Sequence, residues 1–266
     1  VKADEQLCTA VTGEDGTAIF EQNLPFGSYY IKELQAPDGF VSSDEIIEVT
    51  VSYQGQDVEV VRLKEIFKNQ PTTVEFRKSD LTTGVELDGA TLTVLDKDGN
   101  EIDKWTSVKG EPHIIKRLHV GETYILREEF APYGYLKAEE VEFTITDTAE
   151  IQKVEMKDDV PIGRIIINKK GEFLSEVSWN DMVAGAMDSI WGYVTGSLKD
   201  VTFEIYARED IKAADGESDD YYKKDELVAT IKTDELGIAR TDDLPLGKYY
   251  VVEKETADGF VLDGEP

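Results

Sequence analysis

Lys78, Glu128 and Asp158 each stand at the end of a run in which every second residue is apolar. In a β-strand, alternate residues share a face, so each of the three side chains should point inward with its apolar neighbours. Buried ionisable groups are destabilising unless they meet, and we therefore expect the three to converge. The neighbours are Val74 and Phe76 for Lys78, Tyr124 and Leu126 for Glu128, and Val154 and Met156 for Asp158.

The expected chemistry of this trio is amide formation between side chains. Desolvation favours the neutral forms of an amine and of a carboxyl group. A neutral buried amine is a nucleophile, the carbon of a protonated carboxyl is an electrophile, and a glutamate can shuttle the proton between them. Alternation favours Glu128 and Asp158, although their neighbours Glu129 and Asp159 remain rival candidates.

Glu128 belongs to a phrase that occurs three times and whose spacing hardly changes. In each copy a turn glycine leads into an alternating strand with an inward glutamate, and a second turn with Ala and Gly follows. The three glutamates are Glu33, Glu128 and Glu253. The copies read LPFGSYYIKELQAPDGF from Leu24, LHVGETYILREEFAPYGY from Leu118 and LPLGKYYVVEKETADGF from Leu244.

The outer copies have only part of the central trio. Lys169 follows Ile165 and Ile167 on one face, with Lys170 as a rival, and Asn69 shares a face with Phe67. We expect Glu33 and Asn69 to have no partner lysine within residues 1–70, because this unit lacks the leading strand that carries it. We also expect Lys169 and Glu253 to have no acceptor within residues 161–266, which suggests a piece of a longer tandem array.

The elements that must position these residues are short strands separated by polar turns, a pattern typical of an all-β sandwich. Pro71 and Pro161 each precede a new alternating strand, which suggests unit boundaries at about residues 70 and 160. The predicted units are a partial domain over 1–70, a complete domain over 71–160 and a third domain over 161–266 that lacks its last strand.

An insertion in the third unit, about residues 172–196, departs from this pattern. Its apolar residues recur at helical spacing, and Ser178 with Asp181 resembles a capping box. The sequence therefore predicts a short amphipathic helix there. The apolar residues are Trp179, Met182, Val183, Ala186, Met187, Ile190 and Trp191.

Composition excludes several classes of function. A formal net charge of −28 disfavours binding to nucleic acid or to an anionic membrane. No apolar run is long enough to span a bilayer, and any export signals are expected to lie outside this chain. Cys8 is the only cysteine and forms no metal-ligand pattern with the two histidines, so neither a disulfide nor a metal or other cofactor is expected.

The pattern G-x-Y-x-x-x-E-x-x-A-P-x-G-[FY], a lysine after a leading strand and a late Asn or Asp together resemble Cna B-type and SpaA-like pilin domains. The resemblance implies tandem prealbumin-like, or inverse immunoglobulin-like, β-sandwiches over the whole chain apart from the insertion. It also implies a spontaneous isopeptide bond between Lys78 and Asp158 assisted by Glu128. Lys169 and Asn69 would be the corresponding linking residues of the outer units, with Glu253 and Glu33 as the assisting acids.

The expected function is that of a structural stalk, adhesin or pilin-like protein on a Gram-positive cell wall, and not that of a turnover enzyme. Its expected neighbours are further repeats of the same protein. The alternative is a module that binds a host extracellular-matrix or surface ligand directly through the insertion of the third unit.

Overall fold

The computed structural model describes residues 2–179 and 189–266, with the backbone alone of 176–179 and 189–191. These residues form β-strands joined by turns, which confirms the all-β prediction. No helix in the described part is long or apolar enough to cross a bilayer. The first nine strands are β1 (Gly27–Lys32), β2 (Ile46–Val51), β3 (Thr73–Asp80), β4 (Thr91–Leu95), β5 (Glu101–Thr106), β6 (His113–Lys116), β7 (Thr123–Phe130), β8 (Val141–Thr144) and β9 (Gln152–Asp158).

The remaining strands follow Pro161. They are β10 (Ile162–Gly163), β11 (Ile166–Asn168), β12 (Lys170–Trp179), β13 (Ser189–Ser197), β14 (Thr202–Ala207), β15 (Leu227–Lys232), β16 (Ile238–Arg240), β17 (Leu244–Pro245) and β18 (Tyr249–Glu255). The chain divides into two compact units. The first comprises residues 1–74, 114–123 and 144–152, and the second comprises 75–113, 124–143 and 153–266.

The first compact unit contains the antiparallel pair β1–β2, in which Ile31 lies opposite Ile47. Along β1 the side chains alternate between half-buried and exposed, as the sequence pattern predicts. Thr72 fixes the end of residues 1–74 within this unit, because its Oγ1 donates to the Leu118 carbonyl oxygen at 2.6 Å. Among described residues 2–70 only Gly39 is fully buried, so this stretch contributes little apolar core.

Strands β3 to β9 form the central sandwich, which has sheet orders β6-β3-β9 and β5-β4-β7-β8. Within the second compact unit, Phe76 of β3 packs on Trp105 and Phe143, at ring-centroid distances of 5.3 and 5.4 Å. Leu92 and Leu126 are buried to 1% exposure or less. The alternate apolar residues of β3, β7 and β9 are thus inside, as their period of two predicts.

Strands β10 to β18 form the C-terminal sandwich. Its largest sheet has the order β15-β14-β18, and β11 pairs with β16. Its core is built on Leu198, Val201 and Phe203, against which Ile167 of β11 packs. The layout of this sheet matches that of the central sandwich. The strand that carries the repeated phrase is β18 here and pairs with β14, just as β7 pairs with β4 in the central sandwich.

The helix predicted for residues 172–196 is wrong wherever the structure describes that stretch, since β12 and β13 pair there as antiparallel strands. Gly171 and Gly196 are each unfavourable in a helix by about 1 kcal/mol. In the hairpin they make room instead, because a Cβ on Gly171 would overlap the Phe260 ring and one on Gly196 would lie 2.8 Å from the Phe173 ring. Residues 180–188, with Asp181 and most of the helical spacing, lie outside the described residues.

Candidate functional site

Three strands bring the predicted trio together inside the central sandwich. Lys78 lies near the end of β3, Glu128 lies on β7 opposite Leu92 of β4, and Asp158 ends β9. The Leu81 amide donates to the Asp158 carbonyl oxygen at 2.8 Å. Because β3 and β9 are neighbours in one sheet and β7 belongs to the facing sheet, the three side chains converge between the layers.

The contacts within this trio are short and are buried from solvent. Lys78 Nζ donates to Asp158 Oδ1, and it lies 3.0 Å from Glu128 Oε1. All three side chains are 0% exposed. The contact between Lys78 and Glu128 is not directed as a hydrogen bond, and Asp158 Oδ2 has no hydrogen-bond partner among the described residues. The amine is therefore held against the carboxyl group of Asp158.

Burial changes the acidity of the carboxyl group that faces the amine. Desolvation, reinforced by the nearby Glu128 carboxylate and opposed by Lys78, raises the pKa of Asp158 to about 6. A carboxyl group with a raised pKa is more readily present as the neutral acid. This favours the form of Asp158 whose carbonyl carbon an amine can attack.

The other oxygen of Glu128 is held by the loop after the repeated phrase. The Ala138 amide donates to Glu128 Oε2 at 2.7 Å. The first copy of the phrase has the same contact, because the amide of Ser43, also ten residues after its glutamate, donates to Glu33 Oε2 at 3.0 Å. Sequence reasoning missed these two donors. Each of these two donors lies ten residues after its glutamate, and this shared offset was the available signal.

In the first compact unit, the structure brings Glu33 and Asn69 together. Asn69 Nδ2 lies 2.9 and 2.7 Å from the two carboxylate oxygens of Glu33 and 3.3 Å from the Val41 carbonyl oxygen. The contact is half-buried. Glu33 and Asn69 are thus in direct contact, and no lysine appears among their described hydrogen bonds.

The C-terminal sandwich brings Lys169 and Glu253 together. Lys169 Nζ donates to Glu253 Oε2 at 2.6 Å, with the lysine side chain 26% exposed and the glutamate side chain 3% exposed. Gly237 fixes this end of β11: its carbonyl oxygen accepts from the Lys169 amide at 2.8 Å. Its φ of +70° brings a would-be Cβ within 2.5 Å of the Lys169 carbonyl oxygen. Glu253 Oε1 is buried without a hydrogen-bond partner among the described residues.

The rival residues lie outside these clusters. Glu129 is half-buried, whereas Asp159 and Lys170 are exposed. Asp159 Oδ1 accepts a hydrogen bond from the Val160 amide at 2.8 Å. Among the described residues, no three histidine, cysteine, aspartate or glutamate side chains come together in a way that could hold a metal ion.

The fold and the site together define a class of protein: tandem β-sandwiches in which a lysine is buried between two acids. A family model for the SpaA prealbumin-like fold domain matches residues 1–65, 72–160 and 193–266. The chain therefore belongs to the SpaA prealbumin-like fold domain family. The resemblance seen in the sequence is confirmed, and β12 lies in the stretch that the family model leaves unmatched.

Several solved structures resemble this chain. The Bacillus anthracis TIE protein is 26% identical with a TM-score of 0.49; the match covers 96% of this chain and 41% of that protein. A streptococcal ancillary pilin is 16% identical with a TM-score of 0.31, over 90% of this chain and 69% of the pilin. BcpA, the major pilin subunit of Bacillus cereus, is 12% identical with a TM-score of 0.31, over 68% of this chain and 87% of BcpA. No curated protein matches.

Proposed function

We propose that this chain is part of a structural stalk on a Gram-positive cell surface, and that its central sandwich closes one amide bond between Lys78 and Asp158 with the help of Glu128. The supporting observation is the meeting of the three fully buried side chains around one amine. The stalk would be a tandem array divided at about residues 70 and 160, with neighbouring repeats of the same protein as its partners.

In the proposed reaction, a proton passes from the Lys78 ammonium group to Asp158 through Glu128. The neutral Nζ then attacks Cγ of the protonated Asp158. The tetrahedral intermediate loses its hydroxyl group as water, while the proton leaving the nitrogen completes that water. One C–N bond forms, one C–O bond breaks, and Glu128 ends as it began. Excluded solvent favours the protonated form of Asp158, and fixed side chains replace a bimolecular encounter.

A bond at this position suits a protein that is pulled along its length. β3 is the first strand of the central sandwich and β9 the last, and the two lie side by side. An amide joining them would place a covalent bond between the points where the chain enters and leaves the sandwich. Pulling force would then bypass the hydrogen bonds of the intervening strands, and those strands would stay folded.

Intact-mass measurement tests the proposed chemistry. The purified chain should be lighter than its sequence by one water molecule, because one amide forms for each central sandwich. Glu128→Ala should restore the missing water, since it removes the group that moves the proton. Glu129→Ala is the matched control and should stay one water light. A wild-type chain of unmodified mass would refute the cross-link.

A second candidate function rests on the β12–β13 hairpin. Its strand β12 lies outside the residues that the family model matches. Its described side chains include Leu174, Tyr193 and Val194, which are 51 to 62% exposed. Exposed apolar side chains grouped on one element are typical of interaction sites. The hairpin could therefore bind a host extracellular-matrix or surface ligand.

Shortening the hairpin tests this second function without disturbing its base. Leu174 pairs with Tyr193, so replacing residues 175–192 by Asn-Gly should close a tight turn there. Phe173 and its ring contact with Phe260 would be kept. Loss of binding to immobilised collagen or fibronectin, with an unchanged melting temperature, is the result expected of a ligand-binding hairpin. Equal binding by both chains, or none by the wild type, would count against it.

A further inference from the structure

The connection between β14 and β15 is much longer than its counterpart in the central sandwich. The two strands correspond to β4 and β5. In one sheet β14 lies between β15 and β18, and in the other β4 lies between β5 and β7, where β18 and β7 carry the repeated phrase. In the central sandwich the connection is the short turn 96–100, whereas in the C-terminal sandwich it is the loop 208–226. The extra residues therefore need an explanation that the repeated fold does not supply.

This loop is held in shape by its own sandwich. The Ile211 amide donates to the Tyr222 carbonyl oxygen at 2.8 Å. Ile211 is 3% exposed and packs on Gly247, where a Cβ would lie 2.8 Å from its Cδ1. The Asp215 carboxylate accepts hydrogen bonds from the Ser218 amide and hydroxyl. Little conformational entropy remains to be lost when the loop makes further contacts.

Three contacts join the loop to the central sandwich, and both sides belong to the second compact unit. One is a hydrogen bond, one is an ion pair and one is a close approach at a glycine. They are Thr83 Oγ1 to Asp215 Oδ2 at 3.1 Å, Lys109 Nζ to Glu217 Oε2 at 2.5 Å, and Gly134, whose would-be Cβ lies 3.5 Å from Ala214 Cβ.

The acid at the centre of this contact stays charged over a wide pH range. Partial burial alone would raise the pKa of Asp215, but hydrogen bonds from Ser218, the Glu217 amide and Thr83 outweigh it and lower the pKa to about 2. A hydrogen bond to an ionised acceptor is stronger than one between neutral groups. The contact therefore keeps its charge-assisted form at neutral and mildly acidic pH.

The part of the central sandwich that receives the loop lies beside the candidate cross-link. Thr83 belongs to the turn that follows β3, five residues after Lys78. The Leu81 amide in that turn donates to the carbonyl oxygen of Asp158 at 2.8 Å. The loop thus contacts the same end of β3 and β9 at which Lys78 and Asp158 meet.

We propose that residues 208–226 are a clasp that fixes the C-terminal sandwich rigidly to the central one. The partner surface is the turn 81–84 together with Lys109 and Gly134. Such a clasp converts two sandwiches joined by a short linker into one stiff segment, with its joint at the end where the proposed amide forms. It does not depend on that amide, because none of the three contacts involves the trio.

The test measures the distance between the two sandwiches in the full chain. Spin labels are placed at Lys104→Cys and Glu235→Cys in a Cys8→Ser background, and their distance distribution is recorded by pulsed electron resonance. The wild-type clasp should give one narrow distribution. Thr83→Val with Lys109→Met removes the hydrogen bond to Asp215 and the ion pair with Glu217 while leaving the loop intact. This variant should broaden the distribution about twofold, since relative motion is the default for sandwiches that are not locked together.

The matched control carries Thr106→Val and Lys157→Met. These are residues of the same types on the central sandwich, and the described contact of Lys157 is with Glu155 of its own strand. The distance distribution of this control should remain as narrow as that of the wild type. A wild-type distribution as broad as that of the Thr83 and Lys109 variant overturns the clasp, as does a variant as narrow as the control. Intact mass reports separately on the amide, so failure of one proposal is distinguishable from failure of the other.

Discussion

The Asp158→Ala chain should have the mass of its sequence, and its central sandwich should unfold about 20 °C or more below that of the wild type. Lys78 and Asp158 are 80 residues apart, and closing a loop of that length with a covalent bond contributes about 4 to 5 kcal/mol. For a domain of this size, each kcal/mol shifts the midpoint by about 4 to 8 °C. Differential scanning calorimetry would measure the difference.

Two further variants separate the covalent bond from mere pairing of charges. Asp158→Asn offers the same acceptor carbon with ammonia in place of water as the leaving group, so its product is the same amide. That chain should reach the wild-type linked mass and keep most of the wild-type stability. Asp159→Ala, one residue further on and exposed, should change neither. An Asp158→Ala midpoint within a few degrees of the wild type would contradict a stabilising cross-link.

The buried trio could be predicted from the sequence because its signal is local. Alternation on β3, β7 and β9 fixes which residues face inward, and Lys78, Glu128 and Asp158 end those alternations. Their complete burial confirms that prediction. Their meeting follows from the high free energy of burying each ionisable group alone. The distance between Nζ and each carboxylate oxygen, in contrast, depends on how the two sheets pack.

The hairpin and the clasp could not be predicted in the same way. Helical spacing around Trp179 and Trp191 competed with strand pairing, and the cross-strand register that prevails along β12 and β13 is not visible within a window of ten residues. The contact between Thr83 and Asp215 spans 132 residues, and neither residue belongs to a repeated phrase. Contacts of this kind arise from how folded sandwiches fit together, so local patterns do not report them.

The C-terminal sandwich offers a comparison that isolates the electrostatic part of these sites. Lys169→Met should destabilise it by about 3 kcal/mol, because the substitution leaves the buried Glu253 carboxylate without its cation. The mass of the chain should not respond beyond the substitution itself, since the described contact of Lys169 is with a glutamate and not with an Asp or Asn acceptor.

Lys170→Met is the matched control for this last prediction, because Lys170 is the neighbouring lysine and is exposed. It should shift the free energy of unfolding by less than about 0.5 kcal/mol. Urea titration followed by tyrosine and tryptophan fluorescence would measure both variants. Equal stability of the two variants at neutral pH would mean that Glu253 is solvated in the folded chain. The ion pair between Lys169 and Glu253 would then contribute little to the free energy of unfolding.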